Sequence, residues 1–167
     1  MKKLVIYYSF EGNTKLMAES IAKAAGAELL QLTLKKETSS KGFIKYLWAG
    51  KAAMMKGKPE LLPLDKNPED YDLIFLGTPV WALSCAPPVN SFLSSYPLTG
   101  KKVALFCCHG GNKRNIFQKM RDALEGNEFI GEVDFKDPLK HDTEENIRIA
   151  ENWAAEVSGS PLTGSGN

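Results

Sequence analysis

The 167-residue chain has few cysteines, almost no net charge and no long apolar run. Three cysteines (Cys85, Cys107 and Cys108) are a small, odd number that argues against a disulfide-framed secreted fold, so a reducing cytoplasm is the expected setting. Together with two histidines they show no zinc-ligand spacing. A net charge of +1 argues against a nucleic-acid binder and equally against a strongly acidic carrier. No apolar stretch approaches the roughly 20 residues of a membrane span. The start, Met1-Lys2-Lys3 followed by Leu4–Tyr8, is too short for a signal peptide and reads as a strand. Neither a Walker A loop nor a Gly-x-Gly-x-x-Gly fingerprint is present.

The near-neutral total hides two opposed segments. Residues 35–60 carry seven lysines against two acids, and residues 122–156 carry eleven acids against three bases. Short apolar runs alternate with helical spacing along the chain. Strands are expected at Leu4–Tyr8, Glu28–Leu34, Leu73–Leu76, Val103–Cys108 and, more weakly, Phe129–Phe135. Helices are expected at Thr14–Ala25, Val89–Tyr96, Asn115–Leu124 and Glu144–Val157, with Pro87-Pro88 opening the second and Asp142 capping the last. A longer connection, about residues 38–62, has helical spacing between Phe43 and Met55. The alternation predicts an α/β domain over 1–157: a five-stranded, parallel, doubly wound sheet in three layers. The Gly- and Ser-rich residues 158–167 have the composition of a flexible tail.

In such a sheet a ligand sits at the carboxyl ends of the strands, which singles out three loops. The first is Ser9-Phe10-Glu11-Gly12-Asn13-Thr14. Gly12 permits close backbone approach, and the hydroxyls, the Asn13 amide and the free N–H groups of the helix start can bind a phosphate without a basic residue; the bland alternative is a capped helix start. The second, Gly77-Thr78-Pro79-Val80-Trp81-Ala82-Leu83-Ser84-Cys85-Ala86-Pro87-Pro88, places a tryptophan just past a buried strand, in a loop stiffened by prolines, where a ring could stack on it, unless it is simply a core residue. The third, Cys107-Cys108-His109-Gly110-Gly111-Asn112-Lys113-Arg114-Asn115, has two adjacent glycines that allow close backbone approach after the next strand, or is an ordinary turn.

These loops resemble those of the flavodoxins, over roughly residues 1–157. Ser-Phe-Glu-Gly-Asn-Thr is similar to the Thr/Ser-x-Thr-Gly-Asn-Thr phosphate loop, and Gly-Thr-Pro-Val-Trp-Ala resembles the second flavin loop of a flavodoxin-like subfamily. The resemblance implies strand order 2-1-3-4-5, a short-chain type and one non-covalent FMN. It implies that Ser9, Gly12, Asn13 and Thr14 hold the phosphate, with Phe10 and Glu11 in the same loop. Thr78, Pro79, Val80, Trp81 and Ala82 would lie along the ribityl chain and ring, and His109, Gly110 and Gly111 along the pyrimidine side. Three departures from the family pattern stand out. The third loop lacks the tyrosine that flanks the ring in many flavodoxins, so either His109 substitutes or Tyr46 and Trp48 of the 38–62 connection cover the flavin. Glu11 replaces a threonine and is expected to face solvent, contributing its N–H alone. Ala82 stands where a carbonyl turn toward the half-reduced flavin favours glycine, so that form is expected to be weakly stabilised.

The resemblance further implies redox chemistry: electron transfer to and from partner proteins, or hydride transfer from NAD(P)H to a quinone-type acceptor. A flavodoxin-like module without bound flavin is a third reading, motivated by Glu11. A receiver domain of the same topology is disfavoured, because the third strand ends Leu76-Gly77-Thr78 rather than at an aspartate. The cysteines are expected to be packing residues, and His109 to make a local loop hydrogen bond or to relay a proton.

Overall fold

The computed structural model describes residues 1–35 and 58–161. The helix expected between Phe43 and Met55, and most of the lysine-rich segment, lie outside the described residues.

Five parallel strands form the sheet: β1 (Lys3–Tyr7), β2 (Glu28–Gln31), β3 (Leu73–Trp81), β5 (Lys102–His109) and β6 (Glu128–Lys136), in the order β2-β1-β3-β5-β6. A two-residue strand, β4 (Ser84–Cys85), folds back antiparallel on the end of β3. With β4 set aside, the order is the 2-1-3-4-5 expected from the sequence. The helices are α1 (Asn13–Ala25), α2 (Pro87–Ser95), α3 (Ile116–Ala123) and α4 (Thr143–Ser158), with a short 3₁₀ turn at Pro68–Asp70.

Two cores explain the three layers. Side chains alternate across a strand, so each central strand feeds both faces. On one face Leu4, Ile6, Ile74, Leu76, Val103 and Leu105 pack with Val89 and Phe92 of α2 and Ile116 and Met120 of α3. On the other, Val5, Phe75, Ala104 and Phe106 pack with Met17 and Ile21 of α1 and Ala150 and Ala154 of α4. The adjacent cysteines follow the same rule: Cys107 enters the first core and Cys108 the second, so both are buried. At Gly77 a Cβ would lie 2.0 Å from the Phe106 ring, so that ring occupies the space a larger residue would need.

Several boundaries differ from the expectation. β2 ends at Gln31, with Leu34 forming an isolated bridge to Leu61. β3 runs five residues beyond Leu76: it stays paired to β5 through Thr78↔Cys107 and Pro79↔Cys108, then to β4 through Val80↔Cys85 and Trp81↔Ser84. Asp142 occupies the N-cap of α4 but, at φ 47°, makes no side-chain cap bond. The α4 start is instead held by Thr143 Oγ1 donating to Pro138 O and Asn146 Nδ2 donating to His141 O. Gly159 caps the end of α4, and Ser160 Oγ accepts from Lys3 Nζ at 2.9 Å, which ties the first residues after the helix to β1.

Candidate functional site

The three loops meet at the carboxyl edge of the sheet. The first leaves β1 and enters α1 through Gly12, whose φ of 103° is a left-handed conformation that glycine alone adopts cheaply. α1 has no side-chain cap. Its first helical bond runs from Leu16 N–H to Gly12 O, so the N–H groups of Asn13, Thr14 and Lys15 have no intrahelical acceptor and point out of the helix start. Aligned peptide dipoles add partial positive charge there. Ser9 is half-buried, and Phe10 and Glu11 are exposed. The Asn13 side chain is already engaged: its Oδ1 accepts from Leu139 N–H at 3.0 Å. Leu139 also lies against Gly12, 3.2 Å from where a Cβ would be. The β6–α4 connection thus braces the first loop from outside, a contact that no local sequence pattern signals.

Thr14 is buried at 1% exposure, and its hydroxyl makes no hydrogen bond. The nearby Cys108 thiol is pushed up to about 12 by burial, a rise that the Thr14 hydroxyl partly offsets through a contact with the sulfur that falls short of a hydrogen bond.

The second loop is a hairpin, not an open loop. Ala82 (φ 41°) and Leu83 (φ 69°) are its two central residues, and a two-residue hairpin turn of the I′ kind requires positive φ at both. The left-handed conformation counted against Ala82 in the sequence is therefore the one it adopts. Pairing of Trp81 with Ser84 enforces it, and Lys119 Nζ donates to Leu83 O at 2.7 Å from α3. The Thr78 hydroxyl is committed within this element, accepting from Ala86 N–H at 3.0 Å and donating to Pro79 O at 2.9 Å. Val80 and Trp81 are partly buried, and Pro79 falls where β1 has already ended. The Trp81 ring meets Tyr8 edge-on at 5.9 Å and Phe10 edge-on at 6.1 Å, which joins the second loop to the first.

The third loop begins at His109. Its Nε2 lies 2.9 Å from Asp134 Oδ2 on β6, and Lys113 Nζ bonds the other oxygen of the same carboxylate. Burial alone would raise the Asp134 pKa, but hydrogen bonds from Lys113 and His109 outweigh it and hold the carboxyl below its ordinary value. His109 Nδ1 is buried with no hydrogen-bond partner. A Cβ at Gly111 would meet nothing, and one at Gly110 would stand 3.7 Å from the Asp137 carboxylate. The protein's own packing does not demand glycine at either position; it leaves open space beside the backbone.

Asp134 was not legible as a site residue, and Lys113 only as a member of the third loop with no role assigned. The placing of Asp134 beside His109 depends on the β5–β6 register, Cys107↔Asp134, which includes a shift between Val103 and Ala104. The cysteines offer no nucleophile: burial pushes Cys85 up to about 11 and raises Cys107 further still. Among the described residues no His/Cys/Asp/Glu cluster is arranged to hold a metal ion, and no helix is long and apolar enough to cross a membrane.

A doubly wound domain with a phosphate-type helix start, an aromatic hairpin and a glycine-flanked third loop at one edge defines a flavodoxin-type protein. The chain belongs to the flavodoxin family: the model described as "Flavodoxin" matches residues 2–129. Among solved structures, it is similar to a flavoprotein from Lactobacillus acidophilus NCFM in complex with FMN. The two are 28% identical, with 80% of this chain and 92% of that one covered and a TM-score of 0.65. A flavoprotein from Bacteroides eggerthii shares the fold at 24% identity, with 92% and 98% coverage and a TM-score of 0.71. An uncharacterized protein from Archaeoglobus fulgidus is 27% identical over 105 residues, which are 63% of this chain and 64% of that protein.

Proposed function

We propose that this protein binds one FMN non-covalently at the carboxyl edge of the sheet and passes electrons through it. One observation carries the reading. Among the described residues, the buried side-chain polar atoms without a hydrogen-bond partner are Thr14 Oγ1 and His109 Nδ1. They flank β3, at the ends of the first and third loops, where the family places its cofactor. An unpaired buried polar atom costs about 1–3 kcal/mol, so two at one edge support a ligand that pairs them.

In this reading the phosphate takes the N–H groups of Gly12, Asn13 and Thr14, the Thr14 and Ser9 hydroxyls and the Glu11 N–H. A dianion at a helix start is favoured there without a lysine. Phe10 and residues 78–82 flank the ribityl chain and ring, with Trp81 offering the aromatic surface. The Thr78 hydroxyl is reserved for the loop's own backbone. His109, Gly110 and Gly111 lie along the pyrimidine side. Bound FMN supplies one- and two-electron chemistry; the residues position it and shield it from water.

The test is direct. Purified protein is expected to be yellow, to show flavin absorbance and to release FMN in equimolar amount on denaturation. A colourless protein that leaves added FMN fluorescence unquenched would sink the reading. Steady-state NAD(P)H oxidation with an added quinone then separates a reductase from a carrier: turnover marks the reductase, and its absence with rapid electron exchange to a redox protein marks the carrier.

A further inference from the structure

The Lys113–Asp134–His109 chain goes beyond a lining role. Asp134 receives Lys113 on Oδ1 and His109 on Oδ2. A carboxylate so held is ionised and can only accept, so His109 Nε2 must carry the hydrogen. That leaves Nδ1 as the free valence of the ring. The His109 side chain is 8% exposed, and Nδ1 finds neither solvent nor a protein donor. Lys113 offsets the charge of Asp134, so the pair by itself does not require an imidazolium. The other titratable or charged groups around His109 are Cys107 on the same face of β5, its register partner Lys136, and Asp137, whose N–H bonds the His109 carbonyl. Asp134 lies outside the 2–129 segment matched by the family model.

We propose that His109 is the proton-accepting group of this site: with Nε2–H fixed by Asp134, its Nδ1 takes up one proton when bound flavin gains two electrons, and returns it on reoxidation. The proposal rests on the flavin reading above. A hydride donor would bring the two electrons together with the proton that ends on the ring, whereas a pure electron donor would leave that proton to come from solvent. In both cases the ring would become a monoanion and a second proton, from solvent, would end on Nδ1. Two electrons and two protons are thus taken up together, and both protons leave when an oxidant removes the electrons. A negative charge formed in a poorly solvated site favours the charged form of a neighbouring base. Asp134 and Lys113 act as positioning residues that keep the accepting nitrogen the right one.

The chain has two histidines, so nitrogen-15 imidazole spectra contain two ring systems, with exposed His141 as the internal reference. In apoprotein at a pH where both imidazoles are neutral, His109 is expected as the Nε2–H tautomer. On FMN loading and dithionite reduction it should become doubly protonated while His141 is unchanged. With electrons supplied at an electrode through a mediator whose own proton uptake is subtracted, so that the reductant contributes no net protons, uptake followed with an indicator dye should be two per two electrons in the wild type and one in His109→Gln. In Asp134→Asn the apoprotein should show mixed tautomers, a signature that mere loss of packing does not produce. An Nδ1–H tautomer in the apoprotein, or a neutral His109 in the reduced, loaded protein, overturns the proposal and leaves FMN binding intact. Failure to bind FMN overturns the functional reading and this proposal with it, and the wild-type spectra decide even if a variant misfolds.

Discussion

Thr14 is the residue where stability and binding pull in opposite directions. Its hydroxyl is buried and unpaired, so Thr14→Val, which keeps the shape, removes a desolvated group at no packing cost. The apoprotein is expected to gain on the order of 1 kcal/mol in denaturant unfolding. FMN should bind roughly ten- to a hundredfold more weakly, the effect of about 1.5–3 kcal/mol for a lost bond to a charged group; fluorescence titration reads this. Unchanged affinity would place the phosphate elsewhere. Gly12 is the complementary case. With φ at 103° and Leu139 3.2 Å from a would-be Cβ, Gly12→Ala strains both backbone and contact. It should destabilise the apoprotein by on the order of 1–2 kcal/mol or more, measured by the same unfolding curves.

At the scale of elements, the hairpin 81–84 stores strain. Ala82 and Leu83 hold left-handed φ values that an Asn-Gly pair adopts cheaply. The double substitution Ala82→Asn with Leu83→Gly should raise apoprotein stability by about 1 kcal/mol or more in denaturant unfolding. A loss of stability instead would mean that the exposed Leu83 side chain contributes packing that outweighs the turn. β5 and β6 carry a second prediction. Because the Asp134 pKa is depressed in the folded protein, its contribution is present above the ordinary value of 3.8 and is lost as pH falls through the lower folded value. Asp134→Asn should therefore unfold more easily than wild type at neutral pH, and the difference should close in strongly acidic buffer. A pH-independent gap would assign Asp134 a packing role. These same elements mark what could be read beforehand. The apolar runs of β1 and β5, the Pro-Pro start of α2 and the Ser9–Thr14 loop carry their signals within a few residues, by local chemistry. The Asp134 partner of His109 and the Leu139 brace on Asn13 each depend on pairing across at least 25 residues of chain. The extension of β3 depends likewise on its pairing with β5, from Thr78 to Cys107. No local pattern encodes such a register, least of all one shifted near Val103.

At the scale of the molecule, the sheet is a wall shared by two cores, and β5 contributes alternately to both. Cys107 faces one core and Cys108 the other, and Cys85 belongs to the first. Neither layer can lose its packing without disturbing β5, so the two should melt together. The three thiols report this directly. Burial raises all three and keeps them from reagent, so a thiol dye should label native protein negligibly. With increasing denaturant all three should react in one step that coincides with loss of helical circular dichroism. If FMN joins the loops of β1, β3 and β5 as proposed, at a hundred times its dissociation constant it adds about 2.7 kcal/mol to the folded state. The thiol and dichroism midpoints should then shift upward by the same amount. A ligand-induced shift in dichroism that left Cys85 and Cys107 labelling early would mean that the α2–α3 layer opens on its own, and that the cofactor edge is coupled to one core rather than to both.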